Sequence, residues 1–161
     1  SIVINDDDSC GLSEKISVWL WKIGEVFMMK IVVAIDSLKG SLTSIQAGEA
    51  IEKGIKKVDL EAEVVIKPLA DGGEGCLDAQ TAMGKAPIGV AKLAKKYGKL
   101  VLGFSGAVTK GATACNEAGI DAYFPIVRSA VSLEDAMKKK NAQENLIDTV
   151  EQVFRVIKAL K

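Results

Sequence analysis

Histidine is missing from all 161 residues. Without imidazole there is no side-chain base that ordinarily titrates near neutrality, no His-ligated zinc and no charge switch between about pH 5 and 8. Cysteine occurs only at Cys10, Cys76 and Cys115. An odd number with no close pair makes neither a disulfide framework nor a CxxC motif, so reduced thiols in a cytoplasmic protein are expected. An excess of either charge is lacking too, since 21 Lys plus Arg balance 21 Asp plus Glu. No global field draws the chain to nucleic acid or anionic lipid, and neither is expected as a partner. The apolar stretch Ile16 to Phe27 is too short for a membrane span and is broken by Lys22, Gly24 and Glu25. It also lacks the basic start and small-residue cleavage site of a signal peptide. Carboxylates, lysines, hydroxyls, backbone amides and oxygen-held Mg²⁺ remain for any chemistry.

What is present is an ordinary globular composition, 48% apolar and 26% charged, sized for one domain with a tail. Residues 1–28 differ from the rest: both tryptophans, Trp19 and Trp21, fall here beside the acidic run Asp6-Asp7-Asp8. They are expected to be an extension without a catalytic role, or an amphipathic helix docking on the domain or on a second copy. The domain proper is expected over 29–161.

Lys30–Ile35 is a continuous β-branched run, the pattern of a strand buried on both faces. Thr43 or Ser44 caps a helix with Ile45, Ala47, Ala50, Ile51, Ile55 and Val58 on its apolar side. Glu61–Leu69 predicts a second strand, which Pro68 helps to end. Pro87 starts a helix that Gly98 stops, Leu100–Phe104 is a third strand, and Gly111–Ala118 a short helix ended by Gly119. Ala122–Ile126 is a fourth strand. Ser132 with Asp135 precedes a helical turn at Ala136–Lys139. Asn141–Leu160 is a long final helix with Leu146, Val150, Val153, Phe154, Ile157 and Leu160 in one stripe. Strands alternating with helices imply an α/β fold, a three-layer open parallel sheet of about four strands with helices on both faces. Ligands of such sheets sit beyond the carboxyl ends of the strands.

Two loops leave those ends. In Asp36-Ser37-Leu38-Lys39-Gly40-Ser41, Gly40 allows close backbone approach, Lys39 can neutralise an anion, and Ser41 stands just before a helix N-terminus. Asp36 can hold Mg²⁺ or accept a proton. The GxxxxGK[ST] spacing of a P-loop is absent. Taken alone, the segment also reads as a strand-to-helix turn with a solvated lysine. The second loop, Asp71-Gly72-Gly73-Glu74-Gly75, is followed by Asp78, Gln80 and Thr81. Carboxylates this close repel unless a cation or donors offset them, which suits a Mg²⁺–nucleotide or polyol-hydroxyl site. Its glycines permit positive φ and close approach to phosphate oxygens. The plain alternative is a glycine-rich loop capping the next helix. Lys85, ahead of Pro87, adds a cation at a helix start.

Together the segments DSLKGSL, PLADGGEG and GEGCLDAQTAMGKAPIGVAKLA resemble the signatures of the type 1 glycerate kinases, in that family's order and across Met29 to Lys161. The resemblance implies ATP-dependent phosphorylation of D-glycerate with Mg²⁺, in a cleft between two α/β domains. It implies anion binding by Lys39 and Lys85, and service to magnesium or the reacting hydroxyl by Asp71, Glu74 or Asp78. In the family a long segment holding a whole domain separates PLADGGEG from the GEG ahead of LDAQT; here one GEG serves both, and Cys76 replaces a usual basic residue. The expected protein is thus the outer, N- plus C-terminal domain of a shortened glycerate kinase. Beside the enzyme stand two other readings: a non-catalytic remnant binding nucleotide or a small acid, and a module that forms a homodimer over surface the missing domain once covered.

Overall fold

The computed structural model describes residues 2–5, 29–35, 37–38, 40–69, 76–77 and 86–160. The first βαβ unit opens with the strand Lys30–Ile35 (β2), in which Ile31, Val33 and Ile35 alternate into one core. The chain then passes through α1 (Ser44–Lys56) to β3 (Glu63–Pro68), which pairs parallel with β2 from Lys30↔Glu63 to Ile35↔Pro68. A matching unit follows α2 (Ala86–Lys96): β5 (Leu100–Ser105), the 3₁₀ turn Lys110–Thr113 with α3 (Ala114–Glu117), and β7 (Ala122–Pro125). Here β5 and β7 are parallel, from Leu102↔Ala122 to Ser105↔Pro125. A short pair, β4 (Cys76–Leu77) and β6 (Ala107–Val108), lies beside this sheet, and α4 (Leu133–Met137) and α5 (Lys139–Ala159) complete the chain.

The four expected strands are present with both parallel pairings. Between the two halves lies a fifth strand, β1 (Ile2–Asn5), antiparallel to β2 on one side and β5 on the other, giving the order β3-β2-β1-β5-β7. Residues that the sequence reading sets ahead of the domain therefore join its two βαβ halves. An antiparallel strand is what permits this, since it enters at the carboxyl ends of its neighbours and leaves at their amino ends.

Helices cover both faces. Against α1 and α5 pack Ile31, Val33, Ile35 and Leu102; against α2 and α3 pack Val101, Ile120 and Tyr123. Thr43 caps α1 through a reciprocal pair, its Oγ1 accepting from the Gln46 amide and its own amide donating to Gln46 Oε1, both at 3.3 Å. The stripe of α1 differs from expectation at one end: Ile45 is 58% exposed, while Gly48 and Gly54 are buried. At 100° per residue Ile45 falls off the face defined by Ala47, Ile51 and Ile55. Gly54 lies where a Cβ would come within 2.7 Å of the Ile147 carbonyl oxygen, so its bareness lets α1 and α5 close. On α5, Leu146, Val150 and Phe154 are buried as expected, but Leu160 lies past the last helical turn and is exposed. Ser132 caps α4 as expected, though the helix starts at once at Leu133 rather than at Ala136.

Candidate functional site

Because Ile35 pairs with Pro68 and Ser105 with Pro125, the four parallel strands end along one rim. Three helices begin there: α1 leads away from β2, α2 runs toward the start of β5, and α5 ends with Lys158 Nζ on the Val58 carbonyl, beside the far end of α1. None of these three carries an acid in its first turn, whereas the short α4, which also lies at the rim, carries Glu134 and Asp135 in its own.

The loop after β2 is a closed turn. Leu38 and Leu42 exchange backbone bonds, Leu38 N to Leu42 O at 2.9 Å and Leu42 N to Leu38 O at 3.0 Å. Ser41 adds its amide at 2.9 Å and its hydroxyl at 3.1 Å to the same Leu38 carbonyl. Both leucine side chains are buried, which pins the base of the turn. Gly40 turns the chain with φ of 82°, in the left-handed region that glycine enters without strain. Of the residues that the sequence singles out, Gly40 and Ser41 thus share one ordered turn at the rim. Ser41 spends its hydroxyl proton inside that turn and can offer a ligand only its oxygen lone pairs. Asp36, Lys39, Asp71, Gly72, Gly73, Glu74, Gly75, Asp78, Gln80, Thr81 and Lys85 lie outside the described residues.

The anchors of the second loop are described. Leu69 donates to the Ile35 carbonyl at 2.9 Å, directly at the end of β2. The chain is described again at Cys76 and Leu77, paired with Ala107 and Val108 just beyond the end of β5. Both anchors therefore stand at the rim. Ser105, which the sequence reading passed over, closes β5 there; it is 5% exposed, and its Oγ donates to the Ala107 carbonyl at 2.8 Å. The signal for it was a hydroxyl ending an apolar strand immediately before Gly106.

Around the rim, α4 is tied down by polar contacts. Ser132 Oγ accepts from the Asp135 amide at 3.1 Å and donates to its carboxylate at 2.9 Å, while Asn141 Nδ2 donates to the Asp135 carbonyl at 2.8 Å. The Lys138 ammonium and the Ser132 hydroxyl hold the Asp135 carboxyl below its usual range. Among the described residues no cluster of three Cys, Asp or Glu side chains could hold a metal. A cavity of about 770 Å³ over the carboxyl half of α1, lined by Lys53, Lys57 and Asp148, lies away from the rim and contains no residue singled out above.

The glycerate kinase family model matches residues 31–79 and 73–158, two stretches that share 73–79. The chain belongs to the glycerate kinase family. It is 41% identical over 122 residues to the glycerate kinase of Bacillus subtilis, covering 74% of this chain and 31% of that protein. To the glycerate kinase of Haemophilus influenzae it is 37% identical over 121 residues, covering 72% and 30%. To the glycerate 2-kinase of Escherichia coli it is 38% identical over 95 residues, covering 56% and 25%. The chain thus spans less than a third of the length of these relatives. The shared stretch 73–79 is the segment in which one GEG completes the second signature, PLADGGEG, and opens the third. Among the described residues no helix is long and apolar enough to cross a membrane.

Proposed function

We propose that the rim of this domain binds Mg²⁺–ATP or D-glycerate weakly, as one half of a glycerate kinase cleft, with little or no turnover by this chain alone. The observation that carries the reading is that both signature loops start from adjacent parallel strands whose last residues, Ile35 and Pro68, are paired. DSLKGS and DGGEG then belong to one ligand site, with Lys39, Ser41, Asp71 and Glu74 converging on it. Three helix N-termini without acidic first turns favour an anionic ligand at the same place.

The donor set fits magnesium: Asp36, Asp71, Glu74 and Asp78 are hard carboxylates, and histidine is absent. Asp71 and Glu74 would hold the ion, which would neutralise phosphate charge and orient the transferred group. Lys39, Gly40, Ser41 and Lys85 would position phosphate or carboxylate oxygens, and Gly72, Gly73, Gly75, Gln80 and Thr81 would line the approach. The name of the Escherichia coli relative points to the 2-hydroxyl of glycerate as the acceptor. Phosphoryl transfer depends on positioning and charge neutralisation in a site closed to water, and half a cleft leaves that site open.

Calorimetric titration with Mg²⁺–ATP and with D-glycerate, beside a coupled ADP-release assay and a full-length relative, tests the reading. Lys39→Ala should weaken binding by roughly tenfold or more, the loss of one charge-assisted contact, and Asp71→Asn should lower the magnesium dependence. Turnover equal to the full-length relative would overturn the half-cleft argument. A second reading, a module covered by another protein surface such as a second copy, is favoured by the exposed apolar side chains Val127, Val131 and Leu133 beside the rim. Light scattering that shows a dimer in solution would support it.

A further inference from the structure

Helix α4 buries none of its side chains, yet it is held by the Ser132 cap and by Asn141. A five-residue helix without a buried face adds little to the core, so its placement calls for another reason. That reason lies in its last residue. A methyl group added to Gly40 would overlap Met137 Cε, which therefore occupies the space over the turn that any side chain at position 40 would fill. The φ of 82° constrains position 40 to glycine, and the Met137 methyl, the mobile end of a residue that is 38% exposed, rests on the bare backbone that results.

We infer that Met137 is a positioning residue: its terminal methyl seats on Gly40 and clamps the Leu38–Leu42 turn against the rim. From beneath, the turn is fixed by the buried Leu38 and Leu42 side chains. Of the described residues at its tip, Gly40 has no side chain and Ser41 turns its hydroxyl inward to Leu38. The contact from above adds a constraint there. An unbranched thioether suits it, since three rotatable bonds let Met137 follow the bare backbone of a glycine. The polar ties of Asp135 to Ser132 and Asn141 set the height from which Met137 reaches down. A ligand held by the tip would then meet a turn already in its bound shape, and binding would not have to supply the ordering free energy. The clamp stands on the geometry alone; its value for a ligand rests on the function proposed above.

Amide hydrogen exchange tests the clamp without reference to any ligand. The Leu38, Ser41 and Leu42 amides all donate within the turn. In Met137→Ala they should exchange roughly tenfold faster, equivalent to about 1.4 kcal/mol of local opening. Amides of the α1 and β5 interiors, at Ile51 and Val101, should be unchanged. Met137→Leu should restore protection. Met137→Ser, which removes the same methyl without touching the backbone of the turn, should reproduce the local acceleration even if Met137→Ala folds poorly. Unaltered exchange in both variants overturns the proposal. So does acceleration extending to Ile51 and Val101, which would make Met137 a support of the whole fold, and so does failure of leucine to restore protection. Titration of the same variants with Mg²⁺–ATP and D-glycerate separates the two levels. Weaker binding in Met137→Ala and recovery in Met137→Leu supports both. Local acceleration in a protein whose wild type binds neither ligand upholds the clamp and removes the site.

Discussion

Val101 is fully buried near the start of β5, and its amide faces no strand partner on that side. The acceptor is a side chain: Asp121 Oδ2 takes the Val101 N–H at 2.7 Å while its carboxylate also receives Lys95 Nζ, and the Asp121 amide returns a bond to the Val101 carbonyl at 2.9 Å. Asp121 thus completes the ladder one residue before β7 begins. Asp121→Ala should destabilise the protein by about 1–3 kcal/mol, because a buried donor loses its only short-range acceptor. Asp121→Asn should cost less, since an amide oxygen can still accept from Val101. Denaturant unfolding of the two variants checks this, and equal losses would show that the charge on Lys95, not the amide of Val101, is what Asp121 serves. At this scale the sequence is only partly legible. Gly98 and Gly119 declare themselves as left-handed stops, and both have positive φ. Asp121 and Met137 do not, because their roles depend on partners distant in sequence.

Among the elements, the seam between α1 and α5 shows local preference yielding to packing. Alanine favours a helix over glycine by about 1 kcal/mol. At Gly54, however, a Cβ would stand 2.7 Å from the Ile147 carbonyl oxygen and 2.9 Å from Val150 Cβ, both on a helix backbone or stem that cannot swing aside. Gly54→Ala should therefore lower stability by about 1–3 kcal/mol, as overpacking does elsewhere, whereas Gly89→Ala on α2, where a Cβ meets nothing, should raise it. Thermal unfolding of both variants checks the sign. A charged chain laces the same seam: Lys57 bridges Glu151 at 2.9 Å and Asp148 at 3.7 Å, Arg155 reaches Glu151, and Arg128 reaches Asp148. Hydrogen bonds from Lys57 and Arg155 hold the Glu151 carboxyl below its ordinary 4.5, and Glu151 raises Lys57 above 10.5. With the Glu151 value depressed on folding, its contribution is present above about pH 4.5 and disappears as pH falls through the folded value. With Lys57 raised, its contribution is present below 10.5 and disappears as pH rises through the folded value. The midpoint of Glu151→Gln should accordingly fall less between pH 6 and 3 than that of the parent. An identical slope would show the chain to be ornamental at the exposed surface. The amphipathic stripe of α5 was readable as periodicity, but the depth of the α1–α5 contact was not, because it rests on the absence of a side chain.

For the whole molecule, four parallel strands, two helical layers and the rim were legible because βαβ units carry strong local signals: apolar runs, caps and glycine stops. The described Leu38–Leu42 turn and Leu69 stand at that rim because each follows the carboxyl end of such a strand. The central strand was not legible. Ile2-Val3-Ile4 is a β-branched run, but four residues followed by three aspartates carry no period, and pairing with β2 and β5 is visible only in three dimensions. This has a consequence for stability. β1 pairs with β2 over four residues and with β5 over three, and no other described strand joins the two halves of the sheet. Removing residues 1–28 would open two facing edges separated by a vacant strand position, about 10 Å at ordinary strand spacing. Leu102 and Ile126 from one half share a core with Ile31, Val33 and Phe154 from the other, so the halves cannot separate without exposing it. The deleted chain should lose roughly 3 kcal/mol or more, a fall of about 10 °C in the thermal midpoint, and should associate through its open edges. Val3→Pro, which deletes one ladder donor from the middle of a central strand, should reproduce much of the loss within the full chain. A midpoint within a few degrees of the parent in both variants would mean that β2 and β5 close directly on each other, in parallel, and that the domain does not need β1.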